Sequence, residues 1–316
     1  MSRKGTHLFY HPLSLKHDTG AGHPERIERV QAITDRLEKT GLKDECEWTT
    51  PEPASIELIR ANHSGDYIDS IKRVANAGGG PLDADTVISE KSYEAALTAA
   101  GACTQAVDSV LEGCSRNAFC LNRPPGHHAR RSTAMGFCLF NNIAIGARHA
   151  LLKQGLERVF IFDWDVHHGN GTQESFYSDP SVFFCSIHQS PLYPGTGTPN
   201  EIGGGAGEGS TLNLPVLAGA DGKIYESLLE ESVLPAIHAF QPELIMISAG
   251  FDAHRRDPLA GVLLTDEDFG MLAKGVLKAA DSLCDGKVVS VLEGGYDLEG
   301  LSGGVEQLIR AQLAYS

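Results

Sequence analysis

Short, continuous apolar segments alternate with amphipathic helical patterns along most of this chain of 316 residues. Strands that are apolar on both sides are buried on both faces, and helices between them are the usual crossovers of a parallel sheet. The pattern therefore predicts an α/β fold in which helices cover both faces of a mostly parallel sheet. The apolar segments lie at residues 8–10, 118–122, 160–163, 181–188, 211–216, 244–251 and 288–292.

Helices are predicted between these strands from apolar spacing and end signals. One helix opens at Pro24 and ends at Gly41, and others are capped by Asp221 and Thr265. Two glycine-rich segments, residues 77–86 and 190–210, are expected to be loops, and LYPGTG within the second favours a functional loop. No repeat, tail or linker divides the sequence, so residues 1–316 are predicted to form one domain. The remaining predicted helices follow Ser55 and Ser64 or span residues 92–112, 142–154 and 299–314.

The composition excludes several classes of partner. A net charge of -15 and a pI near 5.3 argue against a nucleic-acid-binding surface, which would need basic clusters. No apolar run has the length of a membrane helix, and the N-terminus lacks the apolar core of a signal peptide. The seven cysteines are scattered without a C-x-x-C motif, which is typical of reduced, mostly buried thiols. We therefore expect a cytoplasmic protein that contacts neither nucleic acid nor membrane.

Polar, chemically capable side chains follow four of the predicted strands directly. RPPGHH, DWDVHHGNG, SAGFDAHRRDP and EGGYD each begin where an apolar strand ends. In open parallel sheets, ligands bind in the crevice beyond the carboxyl ends of the strands. The four clusters are therefore predicted to meet at one edge of the sheet.

The DWDVHHGNG stretch indicates a metal site. Asp163, Asp165 and His167 lie at alternate positions and share a face in extended backbone. With Asp252, the pair Asp165 and His167 would supply three N/O ligands and leave a coordination position open, as in catalytic zinc sites. Zinc, iron and cobalt all suit these ligands, and an aspartate after a strand is also a common helix cap.

Three further residues are candidates for acid–base or electrophilic roles. His127 and His128 follow two prolines that restrict the backbone, and Asp163 and Asn170 are possible partners that would fix their tautomers. Tyr296 follows two glycines and could donate a hydrogen bond to a substrate carbonyl. Adjacent histidines are also frequent on protein surfaces, and a tyrosine after glycines is often a turn residue.

Together these motifs closely resemble the zinc-dependent histone deacetylase family, in particular its class II branch and the bacterial deacetylase-like amidohydrolases. The resemblance runs from about His23 to the C-terminal helix and includes MGFCLFNN, LYPGTG and LEGGYDL. It implies a single three-layer αβα domain, arginase/deacetylase-like, with a central, mostly parallel eight-stranded sheet. It also implies removal of acyl groups from lysine side chains or polyamines by metal-assisted amide hydrolysis.

The family's site residues can be carried over motif by motif. The resemblance implies one Zn²⁺ per chain, bound by Asp165, His167 and Asp252, and tandem acid–base histidines at His127 and His128. Asp163 would support His127, and Asn170 would support His128, as asparagine does in class II. Tyr296 matches the tyrosine that polarises the carbonyl, and Gly136 would receive the amide N–H through its carbonyl. Phe137 and Tyr193 match the aromatic pair around the acyl-lysine stem, although phenylalanine is commoner at the second position.

The family also binds potassium, largely through backbone carbonyls, at one or two structural sites. The positions that match an inner site are Asp163, Asp165, His167, Ser186 and Ile187. Those that match an outer site are Phe176, Asp179, Val182 and Ser210.

Three alternatives to an acyl-lysine deacetylase are considered. A binuclear manganese ureohydrolase would need two more aspartates, where this chain has Gly169 and His254. A non-catalytic acyl-lysine binding module is disfavoured because Tyr296 and the other site residues are present. An acetylpolyamine amidohydrolase often has an acidic residue at the pocket mouth, whereas Leu259 occupies the D-P-x-G region here, although Glu90 or a partner subunit could supply the charge.

Overall fold

The computed structural model describes residues 5–316, and an eight-stranded sheet forms its centre. All seven strand pairings in this sheet are parallel, and the order is β2-β1-β5-β10-β9-β6-β7-β8. The strands are β1 (His7–Tyr10), β2 (Glu47–Thr49), β5 (Asn117–Leu121), β6 (Val159–Asp163), β7 (Val182–Gln189), β8 (Thr211–Val216), β9 (Leu244–Ala249) and β10 (Val288–Leu292).

Helices cover both faces of the sheet, and two buried apolar clusters separate them from it. The helices are α1 (Glu28–Lys39), α2 (Leu42–Glu45), α3 (Ile56–Arg60), α4 (Gly65–Asn76), α5 (Ser92–Leu111), α6 (Asn142–Leu152), α7 (Asn170–Phe176), α8 (Gly222–Leu228), α9 (Leu234–Phe240), α10 (Asp266–Leu283) and α11 (Leu298–Ala314). One cluster joins the sheet to α1, α10 and α11, and the other joins it to α5 and α6. The predicted αβα architecture with eight parallel strands is confirmed.

The four central strands of the sheet are buried along their whole length, as their apolar sequences predict. Every residue of β5, β6, β9 and β10 is buried. The helices instead bury one side, as α1 does with Val30, Ile33 and Leu37. The helix predicted after Asp221 is followed without a break in the chain by a π-helical turn, Leu229–Val233, and then by α9.

The structure differs from the predicted local structure at two places. The glycine-rich segment 77–86, expected to be a loop, contributes β3 (Gly79–Pro81), which pairs with β4 (Val87–Ser89) in an antiparallel hairpin. Its backbones approach closely, since a Cβ on Gly79 would lie 2.3 Å from the carbonyl oxygen of Ile88. The position of strand β2 was not predicted, because three partly exposed residues at a sheet edge carry no periodic signal.

Five of the seven cysteines are buried, as predicted, and all seven are free thiols. Helices that combine enough length and hydrophobicity to cross a bilayer are absent from residues 5–316. The first four residues of the predicted 1–316 domain lie outside the described part of the chain.

Candidate active site

Four neighbouring strands deliver the polar clusters to one edge of the sheet. Strands β5, β10, β9 and β6 are adjacent and parallel, so their carboxyl ends lie side by side. The segments that follow them carry, in the same order, the histidine pair, Tyr296, Asp252 and the DWDVHHGNG stretch. The structure therefore brings together residues that are up to 169 positions apart in sequence, from His127 to Tyr296.

Asp165, His167 and Asp252 form a compact group with one donor atom each. Their ligand atoms all lie within 4.8 Å of one another, and the three side chains are buried. Nδ1 of His167 is 3.2 Å from Oδ1 of Asp165 and 3.0 Å from Oδ2 of Asp252. This is the three-residue N/O set predicted from the sequence.

The charge of this group suits a cation. Within residues 5–316, neither Asp165 nor Asp252 forms an ion pair with a lysine or arginine side chain, and both carboxylates are fully buried. Burial lowers the pKa of His167, but the two carboxylates outweigh it and raise that pKa to about 10. Two buried carboxylates without a lysine or arginine partner, next to an imidazole nitrogen, are a donor set that a divalent metal ion would neutralise, so the residues fit the metal that the sequence predicts.

The tandem histidines have different partners. Nδ1 of His127 donates to Oδ2 of Asp163 at 3.0 Å, and Nδ1 of His128 donates to Oδ1 of Asn170 at 2.8 Å. The first partner is a buried carboxylate, and the second is a neutral amide. Asp163 and Asn170 therefore lie where the sequence predicted orienting partners for the two imidazoles.

These partners separate the basicities of the two histidines. Burial lowers the pKa of both, but the charges of Asp165 and Asp163 reverse this for His127 and raise its pKa well above the usual value. For His128, burial and the positive charges of His127 and His167 together hold the pKa well below the usual value. Two imidazoles with ring centroids 3.9 Å apart thus favour opposite protonation states.

Tyr296 lies on the turn after β10 and lines the same cavity as His128. Its ring is buried, and burial raises the pKa of its hydroxyl well above the usual value, so the phenol stays protonated. The Arg29 guanidinium lies over the ring, 5.0 Å from its centroid. Arg29 also donates to the carbonyls of Glu293 and Gly295, which fixes the turn that carries Tyr296.

A cavity of about 250 Å³ leads to these groups. Phe137 and Tyr193 lie in its wall, and the ring of Phe137 is 5.7 Å from that of Tyr296. Of its members, Asp85 and Leu192 were not assigned to the site from the sequence: the segment that presents Asp85 had no motif, and in LYPGTG only Tyr193 was singled out. The lining residues are Asp85, His128, Gly136, Phe137, His167, Leu192, Tyr193, Leu259 and Tyr296.

Part of the cavity wall has an unusual backbone conformation. Gly136 and Phe137 have φ angles of 54° and 68°, and the left-handed region is uncommon for a non-glycine residue. A Cβ on Gly136 would lie 2.4 Å from Cδ2 of His128. Glycine is therefore required at position 136 for the backbone to pass this close to the histidine.

The long loop at residues 190–210 is ordered around Glu201. Its carboxylate accepts hydrogen bonds from the backbone N–H groups of Gly197 and Thr198 and from the side chain of Gln173 on α7. Tyr193, at the start of the loop, is 38 % exposed and forms one wall of the cavity. The loop is thus tied to α7 while presenting an aromatic side chain to the site.

The residues predicted to bind potassium lie near strand β7. Asp163 and Ser186 face each other in the β6–β7 pair, and Ile187 follows on β7. Of the outer group, the carbonyls of Phe176, Asp179 and Ser210 each accept one backbone hydrogen bond, which leaves a second lone pair on each oxygen. Val182, the fourth member, begins β7.

A two-metal site does not fit this geometry. A Cβ on Gly169 would lie 2.1 Å from Oδ2 of Asp163, so a carboxylate ligand has no room there. His254 points to Asp266, with Nε2 3.2 Å from Oδ1. Within residues 5–316, the sole cluster of three or more potential ligands is that of Asp165, His167 and Asp252.

Several buried charged residues around the site were not identified from the sequence. Glu25 lies between Arg29 and Arg123, and all three side chains are fully buried. Asp257 accepts hydrogen bonds from the backbone of Leu259 and Tyr296, and Glu293 accepts them from the turn that carries the histidines. Charged residues are usually exposed, so only the three-dimensional structure reveals these roles.

Comparison with known proteins adds independent information. Residues 23–312 match the family model described as "Histone deacetylase domain". The chain is 42% identical over 297 residues to a protein described as "Probable deacetylase" from Archaeoglobus fulgidus, across 93% of this chain and 82% of that one. It is 40% identical over 277 residues to the "Histone deacetylase-like amidohydrolase" of Pseudomonas aeruginosa, across 87% and 73% of the two chains. The crystal structure of the HDA15 HD domain superimposes with a TM-score of 0.94 at 35% identity, covering 99% of this chain and 89% of that chain.

Proposed function

The chain belongs to the histone deacetylase family of deacetylases and amidohydrolases, and from this premise we propose that it is a zinc-dependent deacetylase acting on N-ε-acyl-lysine in peptides or proteins. One observation carries the proposal. A buried Asp165–His167–Asp252 cluster lies at a cavity that is also lined by His128 and Tyr296. Metal ligands, a proton carrier and an oxyanion donor therefore converge on one space.

Asp165, His167 and Asp252 would hold Zn²⁺. When bound there, zinc would polarise the acyl carbonyl and lower the pKa of an attacking water. The remaining contributions come from the protein's own side chains.

The cavity walls support the choice of an extended, apolar stem in the substrate. Phe137, Tyr193 and Leu259 line the cavity and would contact the methylene groups of an acyl-lysine. The Gly136 carbonyl would accept the N–H of the scissile amide, as the family resemblance implies. That carbonyl already accepts a weak hydrogen bond from Sγ of Cys138 at 3.3 Å.

The hydrogen-bond partners of the histidines suggest a division of labour. His127 would keep its proton, because a carboxylate partner stabilises imidazolium. His128 would take the proton of the attacking water and later deliver it to the departing amine, since its amide partner favours neither charge state strongly. Tyr296 would donate its hydroxyl proton in a hydrogen bond to the oxyanion that develops on the carbonyl oxygen.

A specific observation supports acetylpolyamines as a second candidate substrate. The carboxylate residue Asp85 lies among the residues that line the cavity, and it would attract an ammonium group on a bound polyamine. Leu259, in contrast, leaves the D-P-x-G side of the cavity apolar. We rank acyl-lysine first because Phe137, Leu192 and Leu259 make much of the cavity wall apolar.

Release of the free amine and of the matching carboxylate, which is acetate for acetyl substrates and a longer acid for longer acyl groups, tests both proposals on a substrate panel. The panel would contain acetyl-lysine peptides, longer acyl-lysine peptides and acetylpolyamines, each with and without a zinc chelator. We expect fastest hydrolysis of an acyl-lysine peptide and its loss on chelation. Hydrolysis that resists chelation would contradict the metal assignment, and preference for an acetylpolyamine would select the second candidate. Localisation in the cytoplasm and structural potassium sites remain part of the proposal.

A further inference from the structure

Glu293 joins two turns of the candidate active site. It follows the last residue of β10 and precedes the turn that carries Tyr296. Its side chain extends towards the RPPGHH turn, where Oε2 accepts the backbone N–H of Gly126 at 2.6 Å and that of His127 at 3.1 Å. One residue thus contacts the turn of the histidine pair through its side chain and the turn of the tyrosine through its backbone.

The surroundings of this carboxylate are unusual for an acidic side chain. Glu293 is 0 % exposed, and within residues 5–316 it forms no ion pair with a lysine or arginine side chain. Its other side-chain partner is the Ser248 hydroxyl, at 3.4 Å from Oε1. Burial raises its pKa to about 7. Burying a carboxylate has a high free-energy cost, so an apolar side chain would be more stable here if the residue served packing alone.

The tyrosine turn is held from its other side by Arg29. Arg29 donates to the carbonyl of Glu293 itself and to that of Gly295, so the backbone of Glu293 is fixed in place. A fixed backbone makes the position of the Glu293 carboxylate reproducible. The backbone N–H groups of Gly126 and His127 donate to this carboxylate, so their position is fixed relative to the turn that carries Tyr296.

We infer that Glu293 is a positioning residue, which sets the His127 turn relative to Tyr296 through hydrogen bonds to the backbone N–H groups of Gly126 and His127. The inference rests on the proposed function, because the two turns must act on one substrate. Both hydrogen bonds go to one oxygen, so the positioning role requires an acceptor atom at this reach, which a neutral amide of the same length would also supply.

Three substitutions separate reach from charge. Glu293→Gln keeps the length of the side chain and one oxygen that can accept both N–H groups, and its amide can donate to Ser248. Glu293→Asp keeps the charge but is one methylene shorter. Glu293→Met keeps the approximate length but has no acceptor of comparable strength. Glu306→Gln, at a largely buried acid on α11 away from the site, is the matched control for loss of a carboxylate.

Steady-state kinetics on an acetyl-lysine peptide would give the first measurement. Because misplacement by about 1 Å can cost about 10²-fold in rate, we expect the Met and Asp variants to lose roughly 10-fold or more in kcat with KM changed less than about threefold. The Gln variant and the Glu306→Gln control should stay within about threefold of the parent protein. A ranking in which Asp is active and Gln is not would overturn the inference, as would equal activity of Gln and Met.

A second measurement does not depend on turnover. In NMR spectra, the amide protons of Gly126 and His127 should keep their downfield shifts in the Gln variant and move upfield in the Met and Asp variants. Unchanged shifts in the Met variant would show that Glu293 does not hold the two N–H groups, even if the protein had no deacetylase activity. Absence of activity in the parent protein would instead refute the proposed function, so the two failures are distinguishable.

Discussion

Nδ1 of His128 lies 2.8 Å from Oδ1 of Asn170, so the second histidine of the tandem pair has a neutral partner. Replacing Asn170 with aspartate should place a charge there and raise the pKa of His128, which burial and neighbouring positive charges otherwise hold low. If neutral His128 acts as the base, activity is lost as the pH falls through its pKa. The acidic limb of kcat/KM against pH should therefore move to higher pH by about one unit.

The control for this change is Asn200→Asp, which adds the same charge at an exposed position of the long loop. We expect its pH profile to match that of the parent protein. A shift of the acidic limb to lower pH in Asn170→Asp would contradict the assignment of His128 as the base.

The hydroxyl of Tyr296 is predicted to stabilise the oxyanion. Tyr296→Phe should reduce kcat by roughly 10²-fold or more, the usual loss for one oxyanion donor, while leaving the metal content unchanged. Kinetics and elemental analysis of the same preparations would check this. Tyr315→Phe, near the C-terminus, is a control with the same loss of a hydroxyl, and unchanged turnover in Tyr296→Phe would remove the residue from the mechanism.

The metal assignment predicts both composition and stability. Asp252→Asn should lower bound zinc well below one ion per chain, because one of three ligands loses its charge. Zinc binds the folded state, so its removal by a chelator should lower the Tm of the parent protein and have much less effect on the variant. Asp281→Asn, at an exposed position paired with Arg116, should retain parental zinc. Equal zinc in both variants would show that Asp252 is not a ligand.

Buried His63 predicts a pH dependence of folding stability. Its Nδ1 donates to the Arg130 carbonyl at 3.0 Å, and its Nε2 accepts the Asn141 N–H at 2.9 Å. Burial lowers its pKa to about 4, so between about pH 6.5 and 4 the unfolded chain binds a proton that the folded protein does not. The free energy of unfolding should therefore fall as the pH falls through this window, by up to about 1.4 kcal/mol per pH unit from this residue.

Denaturant unfolding of His63→Gln across that window checks the effect. The variant should be less stable at pH 7 but show a shallower decline towards pH 4. His238→Gln, at an exposed position of α9, should leave the slope unchanged. An equally steep decline in His63→Gln would assign the pH dependence to other groups.

Breaking the buried ion network around Glu25 should lower the free energy of unfolding strongly. Glu25 lies 2.9 Å from Nη1 of Arg29 and 2.5 Å from Nε of Arg123, and all three side chains are fully buried. Glu25→Ala would leave two buried guanidinium groups without their carboxylate and should cost about 3–5 kcal/mol of unfolding free energy. Urea unfolding would measure this. Glu38→Ala, which breaks an exposed pair with Lys43, should leave the midpoint unchanged, and a similarly small effect at Glu25 would contradict the prediction.

The sequence predicted the parts of this protein that depend on periodicity and local motifs. Continuous apolar strands such as β6 and β9 cannot be stable unless both faces are covered, so the parallel sheet and the meeting of its strand ends followed directly. The grouping of Asp165 and His167 with Asp252 could be predicted for the same reason, because the strands that precede them end at one edge of the sheet. The eighth strand came from the family resemblance, because the three residues of β2 gain their conformation from pairing with β1.

The supporting charges could not be predicted in this way. Nothing in EGGYD distinguishes Glu293 from a solvated acid, and Asp257 could have been an exposed loop residue. Their burial depends on contacts between segments far apart in the chain, such as that between Glu293 and Gly126, 167 positions away. The place of Asp85 in the cavity lining could not be predicted either, because the hairpin that presents it was expected to be an irregular loop.

The long loop at residues 190–210 contacts the cavity without supplying a metal ligand. It carries Tyr193 in the cavity wall, yet it contributes none of Asp165, His167 and Asp252, and its internal order depends on Glu201 and the contact with Gln173. A library that varies the residues around Tyr193 while retaining Glu201 can therefore explore new substrates without replacing a metal ligand. Part of the cavity wall is thus carried by a segment that supplies no metal ligand, and laboratory evolution can vary that segment by itself.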